Sequence, residues 1–124
     1  MRKSGILMPV ASLPGPYGIG SLGKPAFVFI DFLKKAGQKV WQMLPLSPTG
    51  FGDSPYQSCS AFAGNPYFID LDILRKKGLL KKGEYGAKEC CTNEGAVDYA
   101  ALYHSRYGIL RKAFARFSTW YPDD

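Results

Sequence analysis

Two continuous apolar runs predict two buried β-strands. Residues 5–10 carry no polar side chain, and residues 40–44 carry only one, that of Gln42. Uninterrupted runs of this kind are typical of parallel strands that are covered on both faces. Proline cannot continue a sheet ladder, so we expect the second strand to end at Pro45.

Between the two runs, apolar residues recur at the spacing of an α-helix. Pro25 lies where the first turn of a helix tolerates proline, and Gly37 offers a stop. The apolar positions are Ala26, Phe29, Ile30 and Leu33.

Two more helices are predicted in the second half of the chain. Segment 70–80 suggests a short helix with Gly78 near its end, and residues 81–96 are polar and irregular. Asp98 is suited to cap a last helix. We expect the apolar stripe of that helix to be its packing face; the stripe consists of Tyr99, Tyr103, Tyr107, Leu110, Phe114 and Phe117.

The order of these elements predicts an α/β fold. Each predicted strand is followed by a loop rich in Gly and Pro, over residues 11–23 and 47–65. Loops at the carboxyl ends of strands build the active site of a (β/α)8 barrel, which needs about 250 residues. We therefore predict that residues 1–124 form one segment of a TIM barrel, which is incomplete in this chain. It would contain two β/α units, a long loop after the second strand, and a helical insertion that reaches the C-terminus.

The net charge of +6 raises the question of a nucleic-acid partner. The basic residues form short clusters near the ends of apolar segments, at residues 34–35, 75–77 and 81–82. Such positions complement the helix dipole and stay solvated. We therefore expect neither a nucleic-acid nor a membrane partner.

Cysteine and histidine usage argues against disulfides and against a metal site. The cysteines are Cys59, Cys90 and Cys91; their number is odd, and adjacent cysteines rarely bridge. With His104 as the one histidine, a zinc site is not expected. There is no apolar stretch of membrane-spanning length and no signal sequence of ordinary form, so the expected location is cytoplasmic.

The segment Gly18–Gly23 matches a dinucleotide-binding pattern, G-x-G-x-x-G. In such sites the glycines follow the strand directly, and an acidic residue follows the second strand. Here the first strand ends around Val10, and Pro45 and Leu46 stand where the acidic residue belongs. We therefore do not predict nucleotide binding.

The loop after the second strand has the composition of a carbohydrate site. Residues 48–58 place a carboxylate, hydroxyls, an amide and two aromatic rings among Gly and Pro. Sugars present hydroxyls at the ring edge and C–H groups on the ring faces, so they need both kinds of side chain. The alternative is an ordinary surface turn in which Asp53 and Ser54 bond to their own backbone.

Several longer strings resemble the amylomaltase family of 4-α-glucanotransferases, glycoside hydrolase family 77. They run in order across nearly the whole chain: Ser4–Leu7, Ser12–Gly20, Trp41–Leu46, Pro48–Gly50, Gly52–Ser58, Ser60–Pro66 and Val97–Tyr99. The resemblance implies an enzyme that moves α-1,4-glucan segments between maltooligosaccharides on an α-amylase-like barrel, of which residues 1–124 would be the N-terminal segment. It also implies a retaining mechanism with an Asp nucleophile, a Glu acid/base and a second Asp, and no cofactor.

The resemblance assigns substrate-binding residues to the loop but no catalytic residue to this chain. None of the ten carboxylates matches the family's catalytic motifs. Tyr56 resembles the family's aromatic platform under the glucose next to the scissile bond, the alternative being a core tyrosine. We expect Asp53 and Ser54 to line the same cleft, with Gln57 and Ser58 as further candidates.

Phe51 stands where the family resemblance implies a tyrosine that belongs to a second glucan site. Phenylalanine keeps the stacking face and loses the hydroxyl, so we expect any such site to be weaker. Two interpretations remain open for the whole chain: part of a longer transferase, or a catalytically incomplete fragment that at most binds glucan.

Overall fold

The computed structural model describes residues 2–50, 52–86 and 95–122, so Phe51, Cys90 and Cys91 lie outside the described residues. Two strands and three α-helices are present in the described part. They are β1 (Gly5–Leu7), α1 (Lys24–Lys35), β2 (Val40–Gln42), α2 (Leu71–Lys76) and α3 (Tyr99–Trp120).

The chain divides into two compact units. Unit 1 comprises Met1–Gly15 and Ile19–Ile69, and unit 2 comprises Pro16–Gly18 and Asp70–Asp124. Unit 1 therefore contains β1, α1 and β2, and unit 2 contains α2 and α3.

In unit 1, β1 and β2 are parallel neighbours connected by α1, as the sequence predicts. The indole Nε1 of Trp41 donates a hydrogen bond to the carbonyl oxygen of Met8 at 2.8 Å, which ties the two strand segments together. The ring of Phe29 on α1 meets the Trp41 ring edge-on, with centroids 5.0 Å apart. The register pairs Gly5 with Val40, Ile6 with Trp41 and Leu7 with Gln42.

The core of unit 1 lies beside the point where the strands end. Val10, Leu13 and Ala26 are buried there, and Phe29 and Trp41 pack against them. The first turn of α1 contains Pro25, and the last turn contains Lys34 and Lys35, both as predicted. The side of α1 that carries Ala26 therefore packs against the segment that follows β1, at Val10 and Leu13.

The predicted burial of the first strand on both faces is wrong within this chain. β1 ends at Leu7, and residues Val10–Ser12 form a 3₁₀ turn. Pro9 has no N–H to extend the ladder, although the N–H of Met8 still reaches the Gln42 carbonyl oxygen at 3.0 Å. Leu7 is 54% exposed and Val40 is 43% exposed. Among the described residues β1 and β2 pair only with each other, which leaves these side chains without a covering layer.

In unit 2, aspartate side chains cap both helices. Asp70 Oδ1 accepts a hydrogen bond from the Ile73 N–H at 2.9 Å, and Asp98 Oδ1 accepts one from the Ala101 N–H at 2.9 Å. The prediction of an Asp98 cap is thus confirmed, and α2 ends at Lys76, earlier than predicted. The core between the helices consists of Leu71, Leu79, Leu80, Tyr85, Ile109 and Ala113.

The predicted packing face of α3 is only partly correct. Leu110 and Phe117 pack against the core of unit 2, but Tyr103 is 62% exposed and Phe114 is 68% exposed. At about 100° per residue, the buried face lies about a quarter turn away from the predicted stripe. That face includes Arg106, which is 1% exposed, and an arginine is rarely expected in a core. The fully buried positions of α3 are Leu102, Arg106, Ile109 and Ala113.

A carboxylate in α2 holds two tyrosine hydroxyls in unit 2. Asp72 Oδ1 accepts hydrogen bonds from Tyr17 Oη at 2.8 Å and from Tyr85 Oη at 2.9 Å. The two rings meet edge-on at 5.4 Å, and Arg106 Nη2 donates to the Tyr17 carbonyl oxygen at 3.2 Å. Pro16–Gly18 is therefore fixed in unit 2 through Tyr17.

An ion pair between Glu84 and Arg116 connects α3 to the segment that follows Leu80. Arg116 Nη1 lies 2.7 Å from Glu84 Oε2 and also donates to the Leu79 carbonyl oxygen at 2.8 Å. The hydrogen bond from Arg116 and a second from the Lys81 N–H lower the pKa of Glu84 from 4.5 to about 2. The stabilising contribution is therefore fully present above pH 4.5 and is lost as the pH falls toward 2.

We expect Glu84→Gln to lower the melting temperature of the chain at pH 7 but not near pH 2. The reason is that protonated Glu84 no longer attracts Arg116, so the parent chain and the variant become similar in stability in acid. Melting curves of both proteins, recorded by circular dichroism across this pH range, test the expectation. Asp31→Asn, at an exposed position of α1, serves as a charge-matched control. A difference in melting temperature that stays constant down to pH 2 would contradict it.

Candidate functional site

The loop that follows β2 is closed at its base by a backbone hydrogen bond. The N–H of Asn65 donates to the carbonyl oxygen of Leu46 at 2.8 Å, so the two ends of the loop lie side by side. Asn65 is buried, and its side-chain oxygen accepts a hydrogen bond from the Tyr67 N–H at 3.0 Å. The described residues between them, 47–50 and 52–64, therefore project from a fixed base in unit 1.

A tight inner turn presents the candidate residues. The Gly50 N–H donates to the Gln57 carbonyl oxygen at 3.1 Å, and the Gln57 N–H donates to the Ser54 carbonyl oxygen at 3.2 Å. A Cβ on Gly50 would stand 2.9 Å from the Gln57 oxygen, which explains glycine at this close approach. The turn thus brings together Asp53, Ser54, Tyr56 and Gln57.

Asp53 reverses the chain at the tip of this turn. Its φ angle is 55°, after a φ of 85° at Gly52, and Asp53 is the one non-glycine residue with positive φ among the described residues. Asp tolerates the left-handed region better than most residues because its short polar side chain bonds locally. Its N–H donates to the Gly50 carbonyl oxygen at 3.2 Å. Asp53 is half-buried. Its backbone conformation, rather than its burial, sets its position at the tip of the turn.

Tyr56 is a surface residue of this chain. Its side chain is 73% exposed, which excludes the alternative that it is a core tyrosine within these residues. Ser54 is half-buried, and its Oγ accepts a hydrogen bond from the Tyr56 N–H at 3.3 Å. The Ser54 hydroxyl therefore bonds to the local backbone, as the surface-turn alternative predicts, and in doing so fixes the backbone that carries the Tyr56 ring.

Ser58 belongs to a second turn. Its Oγ donates to the Ser60 carbonyl oxygen at 2.8 Å and accepts from the Ser60 N–H at 3.2 Å. Ser60 Oγ in turn accepts from the N–H groups of Phe62 and Ala63, at 3.3 Å and 3.1 Å. Ser58 therefore shapes the loop, whereas Gln57 next to it is exposed.

Phe62 is an aromatic residue of the loop that we did not single out from the sequence. Its side chain is fully exposed, at 100%. The sequence does contain a signal for this exposure: Phe62 is surrounded by Ser, Ala and Gly, so its ring has little to pack against locally. Among the described residues of the loop, the rings of Tyr56 and Phe62 are exposed.

This arrangement is suited to binding a ligand rather than to bond cleavage by a carboxylate pair. Asp53 is the one acidic residue between Leu46 and Asn65, whereas glycoside chemistry needs two carboxyl groups, about 5 Å apart in retaining enzymes. Within residues 2–50, 52–86 and 95–122, no group of three or more His, Cys, Asp or Glu side chains could hold a metal ion.

Comparison with known protein families identifies the chain. A sequence profile described as 4-alpha-glucanotransferase matches residues 8–123, which is nearly the whole sequence. The chain belongs to the 4-alpha-glucanotransferase family. Of the strings that carry the resemblance, all except Ser4–Leu7 lie inside the matched range, including those in the loop from Pro48 to Ser58.

Individual members of the 4-alpha-glucanotransferase family are about half identical to this chain. The 4-alpha-glucanotransferase of Clostridium butyricum is 54% identical over 112 residues, which are 90% of this chain and 23% of that protein. The enzyme of Streptococcus pneumoniae is 53% identical over 94% of this chain, and that of Thermus thermophilus is 51% identical over 94%. The chain therefore spans about a quarter of the length of the relatives it matches.

The fold resembles the corresponding part of a solved 4-alpha-glucanotransferase family member. The structure of amylomaltase from Streptococcus agalactiae in complex with acarbose superposes with a TM-score of 0.83 at 44% identity. The superposition covers 96% of this chain and 24% of that one. Among the described residues, no helix combines the length and the apolar character needed to cross a membrane.

Proposed function

We propose that the chain supplies one glucan-binding wall of a 4-α-glucanotransferase. The observation that carries this proposal is the exposed Tyr56 ring on a loop whose base is closed by the Asn65–Leu46 hydrogen bond. Family membership supports α-1,4-glucan as the substrate class, in the form of maltooligosaccharides.

The proposed architecture is the first part of a TIM barrel. Two parallel strands joined by a helix form one β/α/β unit, and an eight-stranded barrel repeats this unit around a ring. Two of eight strands agree with the 24% of the amylomaltase chain that the superposition covers. The loop after β2 then lies at the carboxyl end of a strand, where barrel enzymes place their substrate sites.

Within this proposal the side chains of the loop bind and orient sugar. The Tyr56 ring offers a flat apolar face to the C–H groups of a glucose ring. Asp53 and Gln57 offer hydrogen-bonding atoms for sugar hydroxyls, while Ser54 and Ser58 hold the turns in shape. No cofactor is required.

The proposed reaction is a retaining double displacement. It needs one ionised carboxylate as nucleophile and one protonated carboxyl as general acid, about 5 Å apart. We assign both to sequence outside residues 1–124, so the chain acts by positioning substrate beside them. The alternative is a chain that binds glucan and performs no transfer.

A chimera tests the proposal. In the Clostridium butyricum enzyme, the matched segment is replaced by residues 8–123 of this chain, and transfer between maltooligosaccharides is measured. We expect an active chimera, in which Tyr56→Ala lowers kcat/KM by about tenfold or more through the loss of ring stacking.

Two control variants make the result specific to the Tyr56 ring. Tyr56→Phe keeps the stacking face and should stay close to the unsubstituted chimera. Tyr121→Ala removes a tyrosine of unit 2 that is 53% exposed, and it should leave the activity unchanged. A well-folded but inactive chimera would favour the alternative of a binding-only chain, and full activity of Tyr56→Ala would contradict the role of the ring.

A further inference from the structure

The segment at the end of α2 exposes a pair of lysines on each side of two buried leucines. The pairs are residues 76–77 and 81–82, and all four side chains are exposed. Between them, Leu79 and Leu80 are 8% and 2% exposed, so they anchor the segment in the core of unit 2. The Leu79 N–H also donates to the Leu74 carbonyl oxygen at 2.9 Å. We call residues 76–82 the lysine turn; its cations project from a backbone that is held at its centre.

Helix α3 places an aromatic ring on the lysine turn. A Cβ built on Gly78 would stand 3.0 Å from the Trp120 ring, so the ring lies over the backbone in the middle of the turn. Gly78 has a φ of 77°, a conformation that suits glycine, and its lack of a side chain leaves room for the ring. Trp120 is nevertheless 52% exposed, so a large part of the ring can contact a ligand.

Helix α3 also adds a fifth lysine to this surface. The pKa of Glu84 is lowered mainly by hydrogen bonds from Arg116 and from the Lys81 N–H, and the positive charge of Lys112 adds to the effect. Lys112 therefore lies near the carboxylate that accepts the Lys81 N–H at 2.7 Å. It is exposed and precedes Arg116 by one turn of the helix.

The acidic side chains of unit 2 that the structure describes are all engaged inside the unit. Glu84 forms its ion pair with Arg116. The others accept hydrogen bonds from backbone N–H groups or from tyrosine hydroxyls; they are Asp70, Asp72 and Asp98. Within the described residues, none of the five lysines pairs with a carboxylate. The surface therefore carries a concentrated positive charge that the described part of unit 2 does not neutralise.

Five cations beside an open ring fit a ligand that is anionic and also presents apolar ring faces. A lysine ammonium group binds phosphate as a point charge. The indole ring of tryptophan offers a flat apolar face to the C–H groups of a sugar. A neutral glucan would use the ring alone and leave the lysines without a partner.

We propose that the lysine turn, together with Lys112 and Trp120, binds α-glucan that carries phosphate esters. This inference rests on the proposed function, which supplies the glucan. Single-stranded nucleic acid also combines phosphates with stacking rings, but membership of the 4-alpha-glucanotransferase family favours a sugar as the ring that Trp120 contacts. The surface belongs to unit 2 and Tyr56 to unit 1, so each can be tested by its own variants.

Calorimetric titration of the 124-residue chain compares one amylose preparation before and after chemical phosphorylation of its hydroxyls. We expect the dissociation constant to be lower for the phosphorylated amylose by about tenfold or more. The preference should shrink as salt is raised from about 0.05 M to about 0.5 M, because ions screen exposed charges. Inorganic phosphate and a single-stranded oligothymidine are titrated alongside, and both should bind more weakly than the phosphorylated amylose.

Two matched lysine variants test whether the position of the charges matters. Lys81→Gln/Lys82→Gln should raise the dissociation constant for phosphorylated amylose by about fivefold or more. Lys34→Gln/Lys35→Gln removes an exposed adjacent pair from α1 and is the charge-matched control, with an expected change below about twofold. Circular dichroism checks that each variant is folded, and the comparison of the two amyloses by the unsubstituted chain needs no variant.

A third variant tests the ring. Trp120→Ala should weaken the binding of phosphorylated amylose but not that of inorganic phosphate, since only the sugar contacts the indole. Unchanged binding of phosphorylated amylose by this variant would exclude glucan as the ligand of the surface.

The remaining outcomes also decide the matter. Equal affinity for the two amyloses overturns the proposal, and so does equal loss of binding in the two lysine variants, which would indicate an effect of net charge alone. Inorganic phosphate or oligothymidine that binds as tightly as phosphorylated amylose would assign the surface to that ligand instead. Glucan transfer is judged in the chimera through Tyr56, so an inactive chimera together with a retained preference for phosphorylated amylose would refute transfer and leave this surface in place.

Discussion

Replacing Gly20 by alanine is expected to destabilise unit 1 by about 3 kcal/mol or more. A Cβ on Gly20 would stand 2.0 Å from the Val10 carbonyl oxygen and 2.8 Å from that of Leu13. Both obstacles are backbone atoms, so no side-chain rotation relieves the overlap. The Gly20 N–H also donates to the Ala11 carbonyl oxygen at 3.1 Å, and moving the chain away would break this bond.

Urea unfolding of unit 1 measures this effect, with Gly64→Ala as the control. Nothing lies within 4 Å of a Cβ built on Gly64, so this variant should remain within about 0.5 kcal/mol of the parent. Trp41 fluorescence in a Trp120→Phe background reports on unit 1, because the chain has two tryptophans and Trp120 lies in unit 2. If Gly20→Ala and Gly64→Ala unfold at similar urea concentrations, the backbone around Gly20 accommodates the added methyl group and the expectation is wrong.

Asp72→Ala is expected to destabilise unit 2 by about 2–4 kcal/mol. The substitution removes one acceptor that serves two hydroxyls, those of Tyr17 and Tyr85. Hydrogen bonds to a charged group contribute about 1.5–3 kcal/mol each, and partly buried hydroxyls without a partner carry a desolvation cost. Asp72→Asn keeps an acceptor oxygen and should lose less, and Asp31→Ala, at an exposed position of α1, is the neutral control. Thermal unfolding of the three variants, followed by the helical circular dichroism signal, measures the change in the free energy of unfolding of each.

The pH dependence distinguishes this hydrogen bonding from general packing. Burial, together with the hydrogen bond to Asp72, raises the pKa of Tyr17 and of Tyr85 above the ordinary value of 10.0. A raised pKa means that the stabilisation is present below pH 10 and is lost as the pH rises further. In Asp72→Ala the two tyrosines should titrate closer to 10.0, as seen in the near-ultraviolet absorbance. Unchanged tyrosine titration would contradict the role of the carboxylate.

The sequence predicted the β1–α1–β2 unit because its signals are local. Pro25 at the first turn of α1 and Asp98 at the cap of α3 act on backbone groups within one turn, so neighbouring residues suffice to place them. The strand boundaries were less accurate because the 3₁₀ turn at Val10–Ser12 follows a run of uniform apolar character.

The buried face of α3 could not be predicted because it depends on a distant partner. Arg106 is buried against the Tyr17 carbonyl oxygen, 89 positions earlier in the chain, and helical periodicity alone favours the tyrosines beside it. The Tyr17–Asp72–Tyr85 cluster was missed for the same reason. In the candidate site, the residue types of the loop were visible in the sequence, but the exposure of Tyr56 and Phe62 required the structure.

The hydrogen bond between Asn65 and Leu46 separates the loop after β2 from the strands and helix of unit 1. Because the base of the loop is fixed, substitutions at its exposed positions, such as Tyr56 and Phe62, change the presented side chains while the strands and α1 keep their contacts. Lengthening a closed loop costs little chain entropy, on the order of 0.6 kcal/mol for each doubling. The loop can therefore vary in length and in its exposed side chains with little effect on folding stability, and under the proposed function such changes alter the preference for sugar.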